Sequence, residues 1–305
     1  MPRTPALLCL LLCQLLFWPL LFLVDSALAR SPSELEGRTK AAFVSPDVPA
    51  SLDPALAETY LALATRPGVT LPVVLLAPDR PLAAVILLAG GNGNLGVEEQ
   101  NGRAVIRRAG NFLVRSRRLF AGQGLVVAVV DAPSDQPGGM SPRFRFSDEH
   151  LADIRALALY LRERYGLKPW LAGTSMGTLS AAWGAANLGG GIGGVVLTSS
   201  VTRSARSWDI AWRSRGVLDA GLPRVAVPAL VVAHGSDTCH VTPPEDTARI
   251  MELLTASPRK ERLLFEGGLP AKSDVCEAMS AHGYFGIEEQ VVQAIAGFML
   301  RGPGL

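Results

Sequence analysis

The sequence predicts an α/β fold in one domain: a mostly parallel central sheet with helices on both faces and a small cap. Three observations lead there. Short continuous apolar runs such as 83–88 and 125–130 recur without polar alternation, as expected for strands buried on both faces. Segments of helical periodicity lie between them, the alternation that builds parallel sheets. The runs end in turn-forming residues, among them Gly90-Gly91-Asn92-Gly93 and His234-Gly235-Ser236-Asp237.

The 305 residues hold one large domain or two small ones, and no linker interrupts 69–300, which favours one. With 49% apolar and 18% charged residues the chain belongs with globular proteins rather than disordered ones. The formal net charge is +2, without a basic run, a zinc-type Cys/His spacing or a GxxxxGK[ST] loop. Nucleic acid, structural zinc and nucleoside triphosphates are therefore poor candidates as partners.

Residues 1–29 read as a signal peptide: Arg3, an apolar run over 6–24, then Ala27-Leu28-Ala29, the small-x-small pattern of a cleavage site. An uncleaved membrane anchor is the alternative; no later segment is long and apolar enough to span a bilayer. Loss of the leader removes Cys9 and Cys13 and leaves Cys239 and Cys276. An even number in an exported chain suggests a disulfide, with two buried thiols as the alternative.

Residues 30–66 form a weakly patterned N-terminal extension, with a helix expected near 54–64, and the folded domain covers 67–305. Strands are expected at 69–76, 83–88, 125–130, 169–173, 194–198, 229–233 and 262–265. Helices are expected over 98–121, 147–164, 176–187, 244–254 and 286–299. Ser147 suits the N-cap of the second of these, whose apolar residues share one face, with His150 on its outer side. The segment 199–224 is irregular; its Trp208 and Trp212 either line an acyl site or pack a small cap.

The strongest chemical signal is Gly173-Thr174-Ser175-Met176-Gly177, directly after an apolar strand and before a run rich in small residues. A sharp strand-to-helix turn presents a serine hydroxyl above a sheet, and glycines relieve its crowding. A hydroxyl needs a base and oxyanion donors to act as a nucleophile. Of four histidines, His282 lies in the long loop after the last strand, where a base is readily placed; His234 and His240 read as structural. Asp237, just past the 229–233 strand, is the favoured acid to orient it, with Asp209 the main rival; Asp246 falls in a helix and Asp274 beside Cys276. Asn111, Arg115, Asp131 and Asp135 look like a structural polar network.

In the order Ser175, Asp237, His282, the chain resembles the α/β-hydrolase superfamily over roughly residues 69–300. Within it, the chain is similar to secreted bacterial hydrolases in which an Asp-x-Cys after the acid strand is matched by a Cys shortly before the histidine. Here these are Asp237-Thr238-Cys239 and Cys276, and the resemblance implies a disulfide tying the acid loop to the base loop. It also implies an oxyanion hole made by the amide of Met176 and one from Gly91 or Asn92. The loop spelling departs from the HGGG of many esterases, which leaves that second amide open. A dinucleotide-phosphate role for the glycines fails on spacing, since Gly90, Gly91, Gly93 and Gly96 do not form G-x-G-x-x-G. The resemblance points to carboxylic ester hydrolysis on a small-molecule substrate, without metal or organic cofactor. A peptidase or amidase would use the same residues, and a non-catalytic binding protein is the reading from another class. Oligomeric state is not legible.

Overall fold

The structure is a computed structural model that describes residues 56–204 and 215–301, all within one compact unit, Pro46–Leu305. The signal-peptide segment, the first part of the N-terminal extension, Trp208, Asp209 and Trp212 lie outside the described residues.

Eight strands form one sheet in the order β1-β2-β6-β3-β7-β8-β9-β10. They are β1 Thr59–Arg66, β2 Val69–Leu76, β3 Ala83–Leu88, β6 Leu125–Val130, β7 Pro169–Ser175, β8 Gly194–Ser200, β9 Ala229–His234 and β10 Lys260–Phe265. The two pairings of β2, with β1 and with β6, are antiparallel, and every pairing from β6 to β10 is parallel. β3 and β6 are apolar throughout because both faces are covered, and every residue of β3, β6 and β9 is buried.

Alternate residues feed two cores. Ile86, Leu88, Ala128 and Leu171 pack beneath α4 Asp148–Tyr165 and α5 Gly177–Leu188, with α6 Thr247–Leu253 contributing Ile250. Val85, Leu87, Val127 and Ala172 pack on the other face against α1 Phe112–Arg115, α2 Arg117–Gly122 and α7 Glu288–Leu300. Ser147 caps α4 as its sequence suggests, its side chain accepting from the His150 amide.

Two segments differ from expectation. Residues 98–121 are not one helix. A small hairpin, β4 Val97–Gln100 with β5 Arg103–Ile106, precedes the short helices α1 and α2. The cause is local: Asn101 and Gly102 both take left-handed backbone, φ +53° and +76°, the pair a tight hairpin requires. The helix expected near 54–64 is instead strand β1 from Thr59 onward. The sheet thus begins inside the segment assigned to the N-terminal extension. Val69–Leu76 supplies a paired edge for β1, and tertiary pairing overrides weak local propensity.

The carboxyl ends of the parallel strands share one edge of the sheet. The chain lays β6 on one side of β3 and then β7 on the other, so the order reverses between β3 and β7. Open α/β sheets bind ligands at such a reversal.

β1 is locked to α4 by charge. Arg66 Nε donates to Asp153 Oδ1 at 2.8 Å, and its Nη1 reaches Asp135 Oδ2 at 2.8 Å. The Asp153 side chain is wholly buried and also accepts from Thr65. Arg66→Ala is expected to cost about 3 kcal/mol in urea unfolding, because it strands a buried carboxylate. Arg107→Ala, which breaks the exposed pair with Glu98, should cost under about 0.5 kcal/mol.

Candidate active site

Ser175 ends β7 in left-handed backbone, φ +51°, a conformation that costs a non-glycine residue about 1–2 kcal/mol. Crowding enforces it. A Cβ on Gly177 would lie 1.9 Å from the Leu88 carbonyl oxygen, and one on Gly173 would lie 2.4 Å from the Gly177 carbonyl oxygen. Only glycine at both places lets β3, β7 and α5 approach so closely. Thr178 Oγ1 then pins the turn, donating to the Ser175 carbonyl at 2.6 Å and accepting from the Val201 amide at 3.2 Å.

Asp237 follows β9 in a tight turn, buried. Its Oδ1 accepts from the Cys239 amide at 2.9 Å. Its Oδ2 lies 2.9 Å from His282 Nδ1 and accepts from Thr242 Oγ1 at 3.0 Å. A carboxylate only accepts, so this contact places the hydrogen on Nδ1 and leaves the Nε2 lone pair of a neutral ring free.

His282 sits in a single 3₁₀ turn, Ala281–Gly283, and is buried to all but 4%. Its loop is tied at three points. Ser199 Oγ donates to the His282 carbonyl at 2.8 Å, and Arg115 Nη2 to the Gly283 carbonyl at 2.6 Å. The Tyr284 hydroxyl donates to the Val232 carbonyl at 3.1 Å. Burial pushes the Tyr284 hydroxyl up, so it stays a neutral donor. The disulfide Cys239–Cys276, with Cα atoms 4.7 Å apart, joins the Asp237 turn to the His282 loop. On the chain-entropy model a closed loop of 37 residues gives about 4 kcal/mol. His240 lies beside the bridge, its donor atom within 4.8 Å of both sulfurs, but those sulfurs are bonded to each other and supply no thiolate to a metal.

Ser175 and His282 line one pocket of about 380 Å³, together with Gly91, Asn92, Arg108 and Cys276. Asn92 turns its side chain away from chemistry, its Nδ2 donating to the Gly138 carbonyl at 3.1 Å. The backbone amides of Gly91, Asn92 and Met176 donate to no acceptor among the described residues.

Neither a family model nor a curated protein matches the sequence. Solved structures do. The esterase Pf2001 of Pyrococcus furiosus is 15% identical, with a TM-score of 0.56 over 82% of this chain and 94% of that one. Est1E of Butyrivibrio proteoclasticus is 16% identical, with a TM-score of 0.53 over 79% and 98%. A predicted CIB-like hydrolase of Thermoplasma acidophilum is 13% identical, with a TM-score of 0.52 over 80% and 99%. The chain has the α/β-hydrolase fold. At these identities the likeness speaks for the architecture.

Within this α/β-hydrolase fold the other polar residues have structural partners. Asn111 caps α1, accepting from the Leu113 amide at 3.2 Å. Asp131 accepts from the Val97 and Ala132 amides at 2.7 and 2.8 Å. Arg115 also pairs with Glu288, and Asp135 with Arg66. They are four separate anchors rather than one network. His234 bonds the Gly267 carbonyl at 2.9 Å, and Asp246 accepts from Thr202 and Arg203.

Thr242, Ser199 and Tyr284 were not singled out in the sequence. Thr242 lies five positions past Asp237 with nothing in its spelling to mark it, whereas the aromatic after His282-Gly283 was a usable signal. His150 overturns an expectation: it is fully buried, not on the outer side of α4. Its Nε2 lies 2.8 Å from Ser180 Oγ, which accepts from Arg145 Nη1 at 2.9 Å. Burial, then the nearby Arg145 charge, push His150 down to about 3.

The sign of the resulting pH effect is fixed. The folded ring stays neutral while the unfolded ring binds a proton below about pH 6.5, so this contribution is complete above that pH and is lost as pH falls toward 3. Between pH 7.5 and 5, wild type should lose about 2 kcal/mol more stability than His150→Gln, read by urea unfolding.

Proposed function

We propose that the protein is an exported serine hydrolase that cleaves carboxylic esters of small molecules through an acyl-enzyme on Ser175. The observation that carries this reading is the buried 2.9 Å contact between Asp237 and His282, with His282 lining the same pocket as Ser175. The esterase Pf2001 among the similar structures agrees with it. Export is read from the leader-like first 29 residues, and the disulfide is in keeping with an oxidising compartment.

In this mechanism His282 Nε2 takes the Ser175 proton as Oγ attacks the substrate carbonyl carbon. Asp237 holds the tautomer through Nδ1 and stabilises the imidazolium that forms. The carbonyl oxygen becomes an oxyanion and is met by the Met176 amide and one from Gly91 or Asn92. The C–O bond to the alcohol breaks, the alcohol takes the proton from His282, and water then hydrolyses the acyl-enzyme by the same route. The chemistry calls on no cofactor.

A fluorophosphonate probe should label wild type and leave Ser175→Ala unlabelled. The same substitution should cut p-nitrophenyl ester hydrolysis by on the order of 10⁴-fold or more. Folded wild type that resists the probe would overturn the reading. Peptide anilides cleaved faster than matched esters would move it to a peptidase.

Reduction of Cys239–Cys276 frees two loops but leaves the sheet's pairings untouched. It should therefore lower ester hydrolysis well before circular dichroism reports unfolding. Unchanged activity after complete thiol titration would make the bridge a staple alone.

A further inference from the structure

Arg145 is a buried cation without a carboxylate. It ends the short helix α3 Pro142–Arg145 and is wholly buried. No carboxylate pairs with it among the described residues. Burial brings its guanidinium down to about 10, so it remains charged at neutral pH. The neighbouring His150 is neutral there and offers no compensation. A lone buried charge costs several kcal/mol, and packing alone would be served better by an apolar residue.

Its hydrogen bonds go to the glycine loop. Nη2 donates to the carbonyl oxygens of Ala89 at 3.2 Å and Gly91 at 3.1 Å. Nη1 is held by Ser180 on α5, and Ser180 by His150 on α4. These carbonyls flank Gly90, on which a Cβ would lie 3.0 Å from Ser175 Cβ. A trans peptide is planar, with C=O and N–H opposed. Drawing the Gly91 oxygen inward to Arg145 therefore turns the Asn92 N–H the other way, and Asn92 lines the pocket. The Gly90 carbonyl is engaged separately, accepting from the Gly93 amide at 3.2 Å.

We infer that Arg145 is a positioning residue for the oxyanion site: it fixes the Gly91–Asn92 peptide so that the Asn92 amide is the second oxyanion donor, and its charge favours that anion from behind the loop. The inference rests on the hydrolase reading and names which amide that reading uses. A charge in a dry interior acts far more strongly than in water.

The test compares wild type with Arg145→Gln, Arg145→Lys and Ser180→Ala. Each is assayed for kcat and KM on a p-nitrophenyl ester, for inhibition by a trifluoromethyl ketone, which forms a tetrahedral oxyanion, and for Tm. Removing one oxyanion donor outright costs about 10²–10³-fold in kcat. Loss of its support in Arg145→Gln should cost about 30-fold in kcat, with KM within about 3-fold and ketone affinity weakened in step with kcat. Arg145→Lys should recover part of both. Folded Arg145→Gln with kcat and ketone affinity within about 2-fold of wild type, whatever its Tm, overturns the inference. Should Arg145→Gln not fold, Ser180→Ala decides. It keeps both carbonyl bonds, frees the guanidinium from α5, and should lower kcat several-fold; an unchanged kcat counts against the proposal. Wild type that a fluorophosphonate ignores defeats the hydrolase reading itself, whereas a reactive wild type matched by Arg145→Gln defeats only the role of Arg145.

Discussion

At Gly177 there is no space for a side chain, because the Leu88 carbonyl occupies the position a Cβ would take. That contact brings together the end of β3, the end of β7 and the start of α5. With the three elements so close, the residue at 175 is driven into left-handed backbone, and its side chain stands at the reversal of strand order. The glycine loop leaves β3 immediately after Leu88, so it lies against Ser175 and lines the same pocket. The twelve residues of α5 begin at the same point and turn a helix N-terminus toward it. The serine, the loop and the helix amides owe their proximity to one steric fit.

The sheet fixes strand ends but not the loops that carry Asp237 and His282, which need anchors of their own. Ser199, Arg115 and Tyr284 supply hydrogen bonds that each contribute about 0.5–1.5 kcal/mol net. The disulfide contributes about 4 kcal/mol by constraining the unfolded chain, more than any one of them. The anchors divide the work. Tyr284 and Ser199 tie the His282 loop to β9 and β8, and the bridge ties it to the Asp237 turn. Thr242 then closes the centre, lying 3.1 Å from His282 Nδ1 while donating to the same Asp237 oxygen.

The inner strands were legible because burial on both faces leaves an apolar run that needs no neighbour to be recognised. Ser175 was legible for a related reason: the two glycines flanking it answer to a steric demand that is local in sequence. Asp237 and His282 could be placed by their positions after strands, and the structure brings them into contact. The failures share a cause. β1 is a strand because β2 offers it an edge, and α4 receives its charge through Arg66 and Asp153; neither fact is written in 54–64. The Asn101-Gly102 turn was local and available, but apolar spacing over 98–121 also fits a helix, and the turn decides. His150 reads as outward-facing because polar residues usually are, and its burial, like that of Arg145, depends on partners 30 to 56 positions away.

Arg66 and Arg145 show what such partners decide. Both are withdrawn from water, but Arg66 meets two carboxylates, so its charge is cancelled locally and serves to fasten β1. Arg145 meets carbonyl oxygens and a hydroxyl through its two Nη atoms, which leaves Nε without a partner and its charge uncancelled. At the other end of the same loop, Asp131 accepts from the Leu95 and Val97 amides. The loop is thus drawn by its carbonyls to a cation where it leaves β3 and by its amides to an anion where it enters the β4–β5 hairpin. Pulled at both ends in opposite senses, the backbone between has little freedom to turn over. The amide at Asn92, opposed to a carbonyl already committed to the interior, is left facing the pocket without a competing acceptor.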